Sequence, residues 1–163
     1  MKKFMFFVLA MLLAVSASAQ FKVGGGLTIG TESAVDDGGE KMGIGLTLKG
    51  VYSLNEEWAI SPDFTYYFPS GGDNFDFNLW QINANAHYFF HDLESMRLYG
   101  LAGLNYSSWK WSFDGDEYID WGGSDDSEIG LNLGIGALMD QFYGELKYDT
   151  ALEQIALSAG IMF

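Results

Sequence analysis

The chain has 163 residues, no cysteine, 22 Asp and Glu against 8 Lys and Arg, and a net charge of −14. Its length bounds a single domain, and the absence of cysteine excludes disulfides, thiolate metal sites and a cysteine nucleophile. So few cations also exclude binding to a phosphate backbone, and no nucleic-acid partner is expected.

The first segment, MKKFMFFVLAMLLAVSASA, joins Lys2 and Lys3 to an apolar run over residues 4–15 and a small-residue site at Ala17-Ser18-Ala19. It reads as an export signal cleaved after Ala19 and is shorter than the roughly 20 apolar residues of a membrane-spanning helix. Residues 20–163 are then the folded domain, and Gln20 in place of a cysteine argues against a lipid anchor.

Eight segments with the period of a β-strand follow. The first is QFKVGGGLTIG, with Phe21, Val23, Leu27 and Ile29 opposite Lys22, Gly24, Gly26 and Thr28. The second runs over residues 42–54, with Lys49 on its polar face. The third, WAISPDFTYYF, sets Trp58, Ile60, Phe64, Tyr66 and Phe68 against Ser61, Asp63 and Thr65. Pro62 cannot donate to a ladder, so a bulge or break is expected there. The fourth carries Trp80, Ile82, Tyr88 and Phe90 opposite Gln81, Asn83, Asn85 and His87. The fifth, residues 97–110, puts Tyr106 opposite Arg97, Asn105 and a misplaced Leu101. The sixth, residues 128–139, has Glu128 on its polar face; the seventh pairs Phe142 and Tyr148 with Glu145 and Lys147. The eighth carries Ile155, Leu157, Ala159, Ile161 and Phe163 on one face. Short connections (NEE, HDLES, DQ) alternate with longer ones, the layout of a barrel with periplasmic turns and extracellular loops.

The apolar face is assigned to lipid. Its aromatics gather at segment ends as two girdles: Phe21, Trp58, Phe90, Phe142 and Phe163 by the short turns, and Phe68, Trp80, Tyr106 and Tyr148 by the loops. The other face is rich in glycine and carries charges of both signs, Lys22, Lys49, Asp63, Arg97, Glu128, Glu145 and Lys147. That set suits a dry lumen in which each charge is paired. A soluble lipocalin-like barrel with the faces inverted is the competing reading. The expectation is an all-β, eight-stranded, antiparallel, up-and-down transmembrane barrel in the outer membrane of a Gram-negative envelope, bathed in outer-membrane lipid.

The chain ends in mid-alternation on Phe163, and in this it resembles bacterial outer-membrane proteins, whose last strand and terminal Phe are read by the barrel-assembly machinery. Together with the leader and eight strands, this resembles the small barrels of the OmpX type and the transmembrane domain of OmpA. The resemblance implies a non-enzymatic envelope protein of the wider porin-like group, in adhesion, contact with a surface ligand or host protein, or envelope integrity. Ending at the eighth strand, the sequence departs from the OmpA pattern, and no peptidoglycan-binding module is expected.

His87 and His91 are the candidate bases besides carboxylates, both near the short-turn end, His91 in the turn itself. There is no His-x-Ser triplet of the kind that lipid A-modifying barrels would suggest, and no catalytic residue is assigned. The acidic stretch from Asp114 to Glu128 invites a calcium site, but Tyr118 and the missing Gly and Glu break the EF-hand pattern, so neither a metal nor a cofactor is expected. In WKWSFDGDEYIDW, the Asp114-Gly115 turn suggests a two-stranded fin whose Trp111, Phe113, Tyr118 and Trp121 either meet a partner or complete the upper girdle. A narrow gated pore is the runner-up function.

Overall fold

A computed structural model describes residues 20–36, 39–72, 75–113 and 124–163. The leader at 1–19, the Asp114-Gly115 turn, Tyr118 and Trp121 lie outside the described residues. The segments in chain order are β1 (Phe21–Asp36), β2 (Gly39–Ser53), β3 (Trp58–Tyr67), β4 (Ser70–Gly72), β5 (Phe75–Leu93), β6 (Met96–Phe113), β7 (Ser124–Met139), β8 (Phe142–Asp149) and β9 (Gln154–Met162). β3 and β4 are two pieces of one stave, since both pair with β5 across the interruption at Phe68 and Pro69. Each stave is antiparallel to its neighbours, and β1 pairs with β9, closing an eight-stranded barrel. Closure satisfies the backbone without edges, which a sheet in hydrocarbon requires.

Burial alternates residue by residue along β3, β8 and β9. The outward residues are the apolar ones: Leu131, Leu133 and Ile135 are 58–68% exposed, while the inward Asn83, Asn85 and Gln81 are fully buried. A water-soluble barrel has the reverse profile, so the outer wall belongs in lipid.

Pro62 interrupts the β2–β3 ladder without shifting it. Lys49 pairs with Asp63 and Tyr52 with Ile60 in one register, and the Gly50 carbonyl that faces Pro62 accepts from Ser61 Oγ at 2.9 Å. Of the expected bulge or break, the structure shows the break: Gly50 and Val51 have no partner on β3, and a neighbouring hydroxyl takes the place of the missing N–H. Bulges occur instead between Gly30 and Ala34 on β1 and at Phe89–His91 on β5. His91 therefore lies in β5 opposite Leu98, not in the turn, which is Glu94-Ser95.

The staves rise well past the hydrophobic band on the loop side. β5 has 19 residues, where a tilted membrane strand needs roughly 9–11. Its continuation keeps the ladder but inverts the contrast of the membrane band: Phe77 and Leu79 are buried inside while Asp76 is exposed outside. The two-stranded fin becomes a wider sheet, because β6 is paired on both sides, to β5 as far as Phe113 and to β7 as far as Trp111.

Candidate functional site

At mid-height, β2, β3 and β8 place Lys49, Asp63, Glu145 and Lys147 inside the barrel, each at most 6% exposed. Lys49 Nζ lies 2.8 and 3.0 Å from the two Glu145 oxygens and 3.8 Å from Asp63; Lys147 Nζ is 3.8 Å from Asp63. Asn83 and Asn85 donate to Asp63 at 2.6 and 3.1 Å, and the Tyr99 hydroxyl donates to Glu145 at 2.7 Å. Two cations and two anions are thus neutralised and their remaining lone pairs filled, the condition for holding charge out of water.

Above this cluster, Asn105 and Asn132 donate to Asn83, Gln81 donates to Ser107 and Asp149, and Tyr67 donates to Gln81. Along one wall the hydroxyls of Ser158, Thr28, Thr47 and Thr65 form a chain with spacings of 2.6–2.8 Å. Apolar layers close both ends of this polar column. The turn-side layer includes Val51, Ala59, Phe89, Tyr99, Leu101, Tyr143 and Met162, and the loop-side one Val35, Tyr67, Phe77 and Leu79. Leu101, which broke the polar pattern, is part of the lower layer. His87 stacks on Tyr99 with centroids 4.4 Å apart, its Nε2 3.6 Å from Glu145. Between His87 and Tyr143 the packing leaves about 10 Å³, no more than one water molecule needs. Glycine makes such filling possible: a Cβ on Gly136 would run into the Tyr99 ring and hydroxyl.

The structure does not bring the remaining expected lumen charges into this cluster. Lys22 is exposed at the turn-side rim. Arg97 sits at the same rim, bonded to Asp92 at 2.8 Å and to the Glu56 carbonyl, with its guanidinium 4.0 Å from the Phe89 ring centroid. Glu128 is exposed at the mouth. All three have inward strand parity, but Lys22 and Arg97 lie at stave ends and Glu128 stands above the end of the short β8, where a long side chain reaches water.

On the outer wall, Phe21, Trp58, Phe90, Phe142 and Phe163 lie toward the turns and Phe68, Trp80, Tyr106 and Tyr148 toward the loops. Tyr88, on the same face, joins the turn-side aromatics, 4.9 Å from Trp58, and Trp80 bridges Phe64 and Tyr106 at 6.2 and 5.6 Å. Register, not spacing, creates those pairs. Ile155, Leu157, Ala159, Ile161 and Phe163 form an exposed row, and Phe163 exchanges two backbone bonds with Val23 at 2.8 and 3.1 Å. The Trp111 and Phe113 backbones lie in β6.

At the mouth, the β1 bulge turns the β1–β2 hairpin inward. Ser33 Oγ bonds the Gly30 carbonyl at 3.0 Å, and Val35 N–H donates to Ser70 Oγ at 3.0 Å. Beside this hairpin, above the short β8–β9 connection, opens a cleft of about 350 Å³. Its floor holds Val35, Phe77, Trp109 and Leu152, and its rim Glu32, Glu40, Glu128 and Glu153.

The family model described as "Outer membrane protein beta-barrel domain" matches residues 5–148. The chain belongs to the outer-membrane β-barrel family. Among solved members of this architecture, Neisserial surface protein A is 20% identical, with a TM-score of 0.64 and coverage of 88% of this chain and 96% of its own. Ail, the attachment invasion locus protein of Yersinia pestis, is 22% identical over the same shares, with a TM-score of 0.51. Ail has also been solved in complex with the heparin analogue sucrose octasulfate. The N-terminal barrel of Pseudomonas aeruginosa OprF is 17% identical, covers 87% and 97%, and has a TM-score of 0.50. No curated protein matches the chain. At these identities the structural likeness speaks for the fold.

Proposed function

We propose that the chain is a non-enzymatic outer-membrane scaffold that holds an acidic, aromatic surface outside the cell for contact with a ligand or another surface. The observation that carries this reading is the filled lumen: a neutral polar column between two apolar layers leaves the loop-side mouth as the surface with room for a partner. Narrow conduction is the weaker reading, because an ion path requires displacing Tyr99, Leu101 and Phe89 below and Tyr67 and Leu79 above. Catalysis is weaker still. His87 is buried against Tyr99 deep in the barrel, away from any substrate at the mouth.

In this reading residues 1–19 are the export signal, residues 20–163 the mature barrel, and the row from Ile155 to Phe163 the assembly signal. Lipid contacts the outward aromatics, and Lys49, Asp63, Glu145 and Lys147 serve as structural fastening. A sulfated polyanion of the kind bound by Ail fits this mouth poorly, since the loop-side segments 31–41, 68–78, 109–129 and 150–154 carry fourteen Asp and Glu against two Lys.

The test replaces residues 112–123 by Asn-Gly, a two-residue hairpin turn joining Trp111 to Ser124. Cells displaying this variant should lose attachment to surfaces that cells with the full chain bind, while the barrel keeps its heat-dependent gel mobility. Attachment equal to that of the full chain refutes the role of this sheet.

A further inference from the structure

We infer that the mouth cleft binds an extended, basic, amphipathic polypeptide segment, which adds to the unpaired edge of β7 and sets its cationic side chains against the carboxylate rim. Three observations converge on this juxtaposition.

The first is backbone. β7 pairs with β8 only from Asn132 to Met139, and the Thr150 N–H and hydroxyl serve the Leu131 carbonyl and N–H. Above that point Ile129 directs its N–H and C=O the same way, because alternate residues of an antiparallel strand share a side. Among the described residues no strand receives them. At Ser127 the Asp126 carboxylate takes the N–H at 2.8 Å, so Ile129 is the open rung. An extended segment completes such an edge through main-chain bonds, and alternate side chains then decide which segment fits.

The second is the floor. Val35 and Phe77 are buried and Trp109 and Leu152 half-buried beneath the cleft, offering apolar surface to every second side chain of a strand laid along β7.

The third is charge, which selects the occupant. The rim is wholly carboxylate among its ionisable side chains, and Lys41 and Lys110, the two lysines of the loop-side segments, each have partners already. The chain's own residues 114–123 hold Asp114, Asp116, Glu117 and Asp120 with no Lys or Arg, so they do not complement the rim. A second copy, at −14, does not either. The cleft therefore suits a partner from outside the chain with Lys or Arg alternating with apolar residues.

The proposal rests on the surface-contact reading but fails separately from it: loss of attachment in the 112–123 replacement, with no peptide bound in the cleft, leaves that reading standing. The experiment titrates the full chain, folded in zwitterionic detergent, with a short alternating Lys–Val peptide, following Trp fluorescence and calorimetry. Saturable one-to-one binding is expected, weakened up to about tenfold by Glu32→Gln with Glu128→Gln, as two exposed ion pairs allow. Ile129→Pro, which removes the edge donor and spares the β6 ladder, should weaken it further. Should that variant fail to fold, hydrogen exchange on the unmutated barrel answers the same question: the Ile129 amide becomes protected when the peptide binds. Equal binding of a Glu–Val peptide, indifference to the carboxylate changes, or an Ile129 amide no slower to exchange in the complex overturns the proposal.

Discussion

Replacing Lys49 by Met tests how the lumen is held together. Lys49 is the close partner of Glu145, at 2.8 and 3.0 Å, and its loss leaves that carboxylate with the Tyr99 hydroxyl and with His87 Nε2 at 3.6 Å. Asp63 still has Lys147 at 3.8 Å and two asparagine amides, so the uncompensated charge falls on Glu145. Breaking a buried pair from one side costs about 3–5 kcal/mol, because the remaining ion stays out of water without its partner. Changing Glu145 to Gln as well removes that ion while keeping an acceptor for Tyr99, and the double variant should lose only on the order of 1 kcal/mol. The assay is reversible urea unfolding in micelles, with wild type, both single variants and the double forming a cycle. A Lys49→Met cost below about 1 kcal/mol, or a double variant as unstable as the sum of the singles, refutes the claim that charge pairing organises the interior.

Gly136→Ala should cost about 1–3 kcal/mol by pushing Tyr99 off Glu145 and His87, and Tyr99→Leu in the same background should recover part of it in the same unfolding assay. Arg97→Ala, at a rim position a third exposed, should change stability by less than about 1 kcal/mol. Planar-bilayer recordings should show no steady conductance for the wild type, and equally none for Arg97→Ala; a steady open level overturns the closed-lumen reading. Intact-mass measurement on protein from the outer-membrane fraction should find Gln20 as the first residue, and a retained leader refutes the assigned cleavage.

The outer wall was legible from period-two alternation, because lipid rewards apolar residues at every outward position whatever their neighbours. The direct partners inside were not. Lys22, Lys49 and Arg97 share inward parity, yet height in the barrel separates the buried Lys49 from the two rim residues, and height follows from strand register. The mouth was hidden for a different reason. The Gly30–Ala34 bulge breaks the parity, so that Ser33, Ala34 and Val35 are all buried in succession, and no alternation marks them. The Asp114-Gly115 turn signalled the extension of β6 and β7, but nothing signalled that of β5, because above the membrane band the apolar side turns inward and Phe77 and Leu79 break the phase of the outward pattern.

The short β8–β9 connection gives the molecule a front. Taller walls flank a low sill at residues 150–153, so approaches around the barrel axis are not equivalent. A neighbour moving in the plane of the membrane meets bare wall from most directions and an open doorway from one, and contact there depends on how the barrel is turned as well as on how near it lies.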